Sequence, residues 1–433
     1  MTVRDPGTVS QPPSPPTPLP RGERGEKQHS HNTASCLQLS LPSPLVGEGL
    51  GVRGVPNAGP ASLRDTVKAE ALRIGFDLVG IAGAAAPGGL DHFHDWLRQG
   101  YDGEMAWLSR REAAYEHPRH VLAGVRSVIM VALNYRTDEP APPCPGTGRV
   151  SRYAWSNADY HAVARERLAQ LADFLHAQHP ECRTRSVIDS APMLERDFAR
   201  AAGLGWFGKN TMLINKRQGS WIFLAGLLTD VELEPDAPHE TSHCGTCTRC
   251  LEACPTDAFP EPYVLDSRKC IAYLTIELKE AIPASLRNGV GEWLFGCDIC
   301  QDVCPWNRKS PRKDDPAFRP RGDLNPADLS GLLDLDEEGF RNLFAKSALA
   351  RPGRVGLLRN AAIVLGNQQN AAAVPALERA LGDSEPVVRG AAAWALGQIG
   401  GAAAVTALKS RLCVEDNATV RAEIDGALLR PSD

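Results

Sequence analysis

The chain has 433 residues, with 47 Lys and Arg against 52 Asp and Glu and a formal net charge of -5. That length supplies two or three domains with substantial cores, and the slight acidic excess excludes binding of nucleic acid through overall charge, so any RNA must be met on a local basic face. No apolar run approaches a membrane span and no charged start leads into a hydrophobic stretch of the secretory kind; no membrane partner and a cytoplasmic location are expected.

Residues 1–60 carry fragments such as Pro12-Pro13-Ser14-Pro15-Pro16, with too few aromatic and branched residues to build a core. They read as disordered or as an over-extended gene start, with the true start at a non-methionine codon near Val55 or Leu63. Periodic sequence begins at Ser62. Apolar residues recur at helical spacing from Leu63 to Ile74 behind a serine cap, and Gly75 ends the run. Short branched stretches at 76–81 and 127–133 read as strands. After a Pro/Gly-rich loop at 138–148, Asp159-Tyr160-His161 opens a helix to about Gln178. Strands near Arg185 to Ile188 and at 219–228 complete an alternating pattern, and residues 61–235 are expected to form one α/β domain.

Within that domain, Ser186-Val187-Ile188-Asp189-Ser190-Ala191-Pro192-Met193-Leu194-Glu195-Arg196 is a strand ending in an acid, then a turn and a helix. Asp189 either faces a ligand crevice at the end of its strand or caps the following helix; local sequence does not separate the two. The glycines of Gly203 to Gly208 fit turns as well as phosphate binding, and no Walker pattern follows.

Eight of the twelve cysteines lie between Cys244 and Cys304. Cys244, Cys247, Cys250 and Cys254, followed by Pro255, form the C-x2-C-x2-C-x3-C-P run of two-cluster ferredoxins. The second run is split, with Cys270 early and Cys297, Cys300 and Cys304-Pro305 later. In such runs the fourth cysteine ligates the other cluster, which gives Cys244, Cys247, Cys250 and Cys304 to cluster one and Cys254, Cys270, Cys297 and Cys300 to cluster two. Paired C-x2-C motifs also bind structural zinc, but the triple spacing, both Cys-Pro endings and eight ligands fit two four-iron clusters better. Disulfides are disfavoured in a reducing compartment. Cys36, Cys144, Cys182 and Cys413 read as incidental thiols, and residues 236–310 as a two-cluster ferredoxin-like domain.

Beyond Pro305 the composition shifts. Trp306 leads a basic stretch containing Arg308 and Lys309, suited to phosphates and a stacked base or to a solvated loop. A linker and helix fill 311–350. From 351 to 433, Arg359 to Gly366, Arg389 to Gly397 and Arg421 to Leu428 recur about every thirty residues, as in HEAT-type helical hairpins, with Pro375 and Pro386 near helix starts. The fold class is therefore mixed, α+β/α/β: an N-terminal α/β domain, a ferredoxin-like domain and C-terminal α-helical repeats.

Taken together, Asp189 to Arg196, Gly208-Lys209-Asn210-Thr211, the split cluster motif with Cys270-Ile271-Ala272-Tyr273-Leu274-Thr275-Ile276-Glu277, and Phe295 to Asn307 resemble the epoxyqueuosine reductase family over roughly residues 62–430. The resemblance implies an oxidoreductase for the last step of queuosine biosynthesis, reducing an epoxide on the wobble base of tRNA with two 4Fe-4S clusters and a base-off cobalamin. It places the catalytic proton donor on Asp189, with burial keeping that acid neutral. Arg152, Tyr153, Lys209, Asn210 and Thr211 are expected beside the cobalamin, with Ala272, Gln301 and Asp302, which adjoin ligands of cluster two. Arg308, Lys309, Arg351, Arg354, Arg359 and Arg389 are the expected tRNA contacts, although Arg389 could instead pair between repeats. A monomer fed by an unidentified low-potential donor is expected. The competing readings are a reductive dehalogenase, which the repeats and the missing twin-arginine leader oppose, and a noncatalytic electron-transfer module. Protein purified without air is expected to hold about eight irons per chain; one or two tightly bound zincs on elemental analysis would overturn the assignment.

Overall fold

The computed structural model describes residues 62–189 and 191–430; the reading of residues 1–60, and with it Cys36, lies outside them. Helix α1 (Leu63–Ile74) begins where the Ser62 side chain accepts from the Asp65 N–H and ends at Gly75. Strands β1 (Leu78–Gly83), β2 (Ser127–Asn134), β3 (Thr184–Val187) and β4 (Ile222–Thr229) form a sheet in the order β1-β2-β4-β3. Every residue of β2 is buried, because its alternate side chains serve two cores. Ile129, Val131 and Leu133 pack with Val67 and Ala71 of α1 and with Leu168 and Leu171 of α2 (Tyr160–Gln178). Val128, Met130 and Ala132 pack with Phe198 and Ala199 of α3 (Glu195–Ala201). Each large aliphatic side chain so buried contributes about 1.5–3 kcal/mol.

All three strand pairings are antiparallel, so this part of the chain is α+β in character. Periodicity along a chain separates strand from helix but carries no information about pairing direction. The sheet brings the end of β3, and therefore Asp189, against the first turn of α2. Asp189 caps no helix: α3 begins at Glu195 with Leu194 in the cap position. The stretch 206–214 forms a small hairpin, Trp206–Phe207 against Leu213–Ile214, whose tip carries Gly208 to Thr211.

The cluster region is held by the repeats. Cys270 starts helix α4 (Ile271–Ile276), whose last carbonyls have no partner within the helix. Arg359 and Asn360, adjacent on α5 (Gly353–Asn367), supply it. The Arg359 guanidinium donates to the carbonyls of Leu274 at 2.7 Å, Leu278 at 2.8 Å and Glu280 at 2.6 Å. Asn360 donates to Thr275 O at 2.8 Å and Leu294 O at 2.9 Å. Arg359 is 1% exposed and meets no carboxylate in this set; burial pulls its pKa down to about 10. One hydrophobic core runs from Val150 through Ile271, Leu294 and Phe295 to Leu365, Trp394 and Ile424.

The repeats stack through glycine. A Cβ on Gly366 would come within 2.7 Å of the Trp394 ring and 2.8 Å of the Ala395 backbone on α6 (Pro386–Ile399), and one on Gly397 within 2.5 Å of Ala427 on α7 (Ala418–Leu428). The recurring Leu-Gly of the sequence repeat is thus the close-approach point between successive inner helices. Pro386 occupies the first turn of α6 as expected.

Three of the arginines expected on tRNA are structural instead. Arg359 is the clamp just described. Arg354 is bound to Asp383 and to Leu335 O. Arg389 is buried, with two 2.9 Å bonds to the fully buried Glu415 and further bonds to Asp383 O and Ser384 O. A repeat needs its neighbours' polar groups paired before it can bury alanine and leucine, and these arginines do that pairing. Substituting Arg359→Ala strands two buried carbonyls and one part-buried one; the expected loss is about 3–5 kcal/mol in urea unfolding, with a fall in iron content because α4 no longer holds Cys270 in place.

Candidate active site

The eight cysteines fall into two groups. Cys244, Cys247, Cys250 and Cys304 line one cavity of about 510 Å3. Burial first, then the charges of the other three thiols, push Cys250 up to about 11. In the second group burial again leads and the neighbouring thiols add to it: Cys300 and Cys270 raise Cys297, and Cys254 raises Cys270. Cys300 is raised by Cys270 and also by Cys250, which joins the two groups. Thiols crowded in this way resist ionisation unless a cation shares the site. Four thiols lining one cavity suit a multi-iron cluster.

A recess opens beside the second group. Asp189 lies with His161 Nε2 2.5 Å from one carboxylate oxygen and the Tyr160 hydroxyl donating to the other. The second nitrogen of His161 is 2.7 Å from Asp159, the residue that caps α2. The Asp189 side chain is 52% exposed, yet enough protein surrounds it for burial to be the largest influence on its pKa. Burial alone would raise it, but the bonds from His161 and Tyr160 and the His161 charge outweigh that, and Asp189 is held below the usual aspartate value. The expectation of an acid kept neutral by burial is corrected accordingly. His161 is raised: burial opposes its charge, and Asp189 and Asp159 more than offset the penalty. Both shifts favour the imidazolium–carboxylate form of the pair.

Aromatic rings wall the recess. Tyr160 stacks on Phe223 at 4.2 Å, and Tyr153 stands edge-on to Tyr160 at 6.0 Å and tilted to Phe295 at 5.9 Å. Since Phe295 is two residues before Cys297, Tyr153 links the acid to the second cysteine group. Ala272 packs half-buried on the same core as Tyr153, Cys270 and Cys297. At the rim, Arg351 is 55% exposed, paired with Glu277 at 3.1 Å, over the Trp107 ring at 5.1 Å, and its charge reaches Asp189. Deeper in, Glu195 has one oxygen buried without a hydrogen bond, and burial pushes it up to about 8.

Other expected cofactor neighbours serve the scaffold. Arg152 is buried and paired with Asp302 at 3.0 Å and Glu139 at 3.3 Å, over the Trp221 ring. Gln301 is bound to Ser220, and Asn210 donates to Cys300 O at 3.3 Å. Lys209 faces the first cysteine cavity, its amine 2.8 Å from Gly245 O, and the Thr211 carbonyl accepts from Arg196. Buried polar groups take partners, and in this structure these groups hold protein ones. Arg308 and Lys309 lie on the first cavity's rim. Nothing in the sequence marks Tyr160 and His161 as site residues: they open α2 behind an ordinary cap, and their spacing ties neither to an acid 28 residues beyond His161.

Fold and site define an iron-sulfur oxidoreductase whose second cluster adjoins an acid-bearing recess. Family models match at residues 243–307 (4Fe-4S double cluster binding domain), 116–190 (Epoxyqueuosine reductase QueG, DUF1730) and 347–428 (HEAT repeats). An epoxyqueuosine reductase of Xanthomonas campestris is 41% identical over 347 residues, covering 79% of this chain and 97% of that protein. The chain belongs to the epoxyqueuosine reductase family. The fold is similar to an epoxyqueuosine reductase bound to an epoxyqueuosine-modified tRNA-Tyr stem loop, and to the Bacillus subtilis enzyme with its catalytic aspartate loop swung out of the active site. Each has TM-score 0.78 and 31% identity, over 84% of this chain and 98% of the other.

The His161–Asp189 pair has a pH signature. Asp189, lowered from 3.8, contributes stability above that value and loses it as pH falls through its folded pKa; His161, raised from 6.5, contributes below 6.5 and loses it as pH rises through its own. The melting-temperature gap between the protein and its His161→Ala variant is therefore expected to be widest from about pH 4 to 6.5 and to narrow on either side; a gap independent of pH would contradict the charged pair.

Proposed function

We propose that the protein reduces the epoxide of epoxyqueuosine at the tRNA wobble position to the alkene of queuosine, with a base-off cobalamin held in the recess. The observation that carries this is the acid recess lying against the cysteines of cluster two. Tyr153, Ala272 and the Tyr160–Phe223 stack offer an apolar wall to a flat macrocycle. Both nitrogens of His161 are engaged by carboxylates, which leaves that histidine no lone pair for a metal and agrees with a cofactor lacking an imidazole lower ligand. When bound, the corrinoid supplies low-potential metal-centred reduction of the three-membered ring.

The chain's own part is positioning and proton supply. Reduction of an epoxide to an alkene consumes two electrons and two protons and releases water. Asp189 is ionised at rest, so the first proton given to the opening ring's oxygen comes from His161 Nε2 through the Asp189 carboxylate, and the second, which frees the oxygen as water, comes from solvent once His161 has been reprotonated. Filling the recess favours that transfer: with water displaced, two neutral groups cost less than an ion pair. Tyr160 keeps the carboxylate aimed throughout. Arg351 and Lys279, at the rim, meet the phosphates beside the modified base. Acting on tRNA puts the enzyme in the cytoplasm, working as a monomer, with electrons arriving singly from a low-potential donor.

The Asp189→Asn variant should keep its iron and its affinity for an epoxyqueuosine-containing stem loop while turnover falls by about 10²–10⁴, read by mass analysis of the nucleosides. Near-normal conversion would refute the role given to Asp189.

A further inference from the structure

The first cysteine cavity opens to a surface unlike the rest of the chain. Lys209, Lys216, Arg249, Arg308 and Lys309 surround it, with Arg249 and Arg308 shared by an adjoining hollow, and no carboxylate lines either. They come from three separated segments: the hairpin, the first cysteine run and the stretch after the second. Lys216, Arg249, Arg308 and Lys309 are exposed, and among the described residues none of the five forms an ion pair, whereas Arg351, Arg354 and Arg389 each have a carboxylate. A chain of net charge -5 has thus gathered five unneutralised cations around one cysteine group. Between them Trp306 stands half-buried against Trp206 at 5.0 Å, its indole N–H on His243 O.

We infer that this face docks a small acidic one-electron carrier protein, which reduces cluster one. The inference rests on the reading that the clusters feed the recess. Cys270 and Cys297 of cluster two pack on the core that also carries Tyr153, whereas all four ligands of cluster one line the open cavity, so cluster one is the outer end of the path. One electron leaves the reduced carrier and one enters cluster one, and two such encounters supply one epoxide reduction. Unpaired exposed charges steer association and set its salt dependence. A nucleic acid could also seek cations, but the base to be reduced must reach Asp189, and Arg351 stands there.

The test uses anaerobic holoenzyme and an acidic [2Fe-2S] ferredoxin, with binding measured by biolayer interferometry at about 50 mM and about 0.5 M salt, alongside anisotropy of a labelled tRNA stem loop. Lys216→Glu with Arg249→Glu is expected to weaken ferredoxin binding at least tenfold at low salt and much less at high salt, with stem-loop affinity within twofold of the parent. The Lys216→Gln/Arg249→Gln pair, gentler on folding, should fall about half as far on a logarithmic scale. Unchanged ferredoxin affinity in both pairs with iron intact would overturn the docking face, as would an equal loss of stem-loop affinity, which would hand the surface to RNA. Iron missing from the parent protein would instead refute the two-cluster reading itself.

Discussion

Eight thiols brought together without a cation would repel ionisation, and the rest of the architecture follows from having to hold them there. Their own segment is short of regular structure: α4 has six residues and the helices inside the two cysteine runs four each. Such pieces cannot position ligands by themselves. The α+β sheet domain contributes the hairpin tip, with Asn210 on the Cys300 carbonyl and Lys209 on that of Gly245. The repeats contribute Arg359 and Asn360 from the other side. The cysteine region is thus braced from both ends of the chain, and the continuous core from Val150 to Ile424 is the packing counterpart of those bonds.

The recess reflects a different balance. An acid that must release a proton beside an apolar cofactor is awkward to store, because burial that favours its neutral form also penalises the ion pair that orients it. Here orientation prevails at rest: Tyr160 and His161 hold Asp189 ionised, and Asp159 fixes the imidazole from behind. In the reaction proposed above, the proton is kept one residue back, on the group whose ordinary value lies nearest neutrality.

The sequence made some of this legible and not the rest, for physical reasons. The cysteine groups could be read because ligand spacing is covalent: a C-x2-C-x2-C-x3-C run dictates which sulfurs converge. Helices α1 and α2 could be read from cap and period, and the repeats from self-similarity. Asp189 stood out at the end of a strand. Its partners did not, since Tyr160 and His161 reach it only through sheet pairing, which periodicity does not encode. Arginines were the weakest ground. Arg351 and Arg359 look alike in a string of letters, but one lies 55% exposed at the recess and the other is sealed against three carbonyls. The Gly203 to Gly208 run fitted turns as well as phosphate binding, and it leads into a hairpin whose tip bears on the cluster domain.

The Arg359 clamp also sets an order of events during synthesis. Cys254 and Cys270 leave the ribosome well before the helix that secures the carbonyls following them, and Cys297 and Cys300 likewise precede it. While translation is still short of α5, the second metal site has its sulfurs but not its frame. The frame of that site is therefore complete only once residues 353–367 have been made and packed against it.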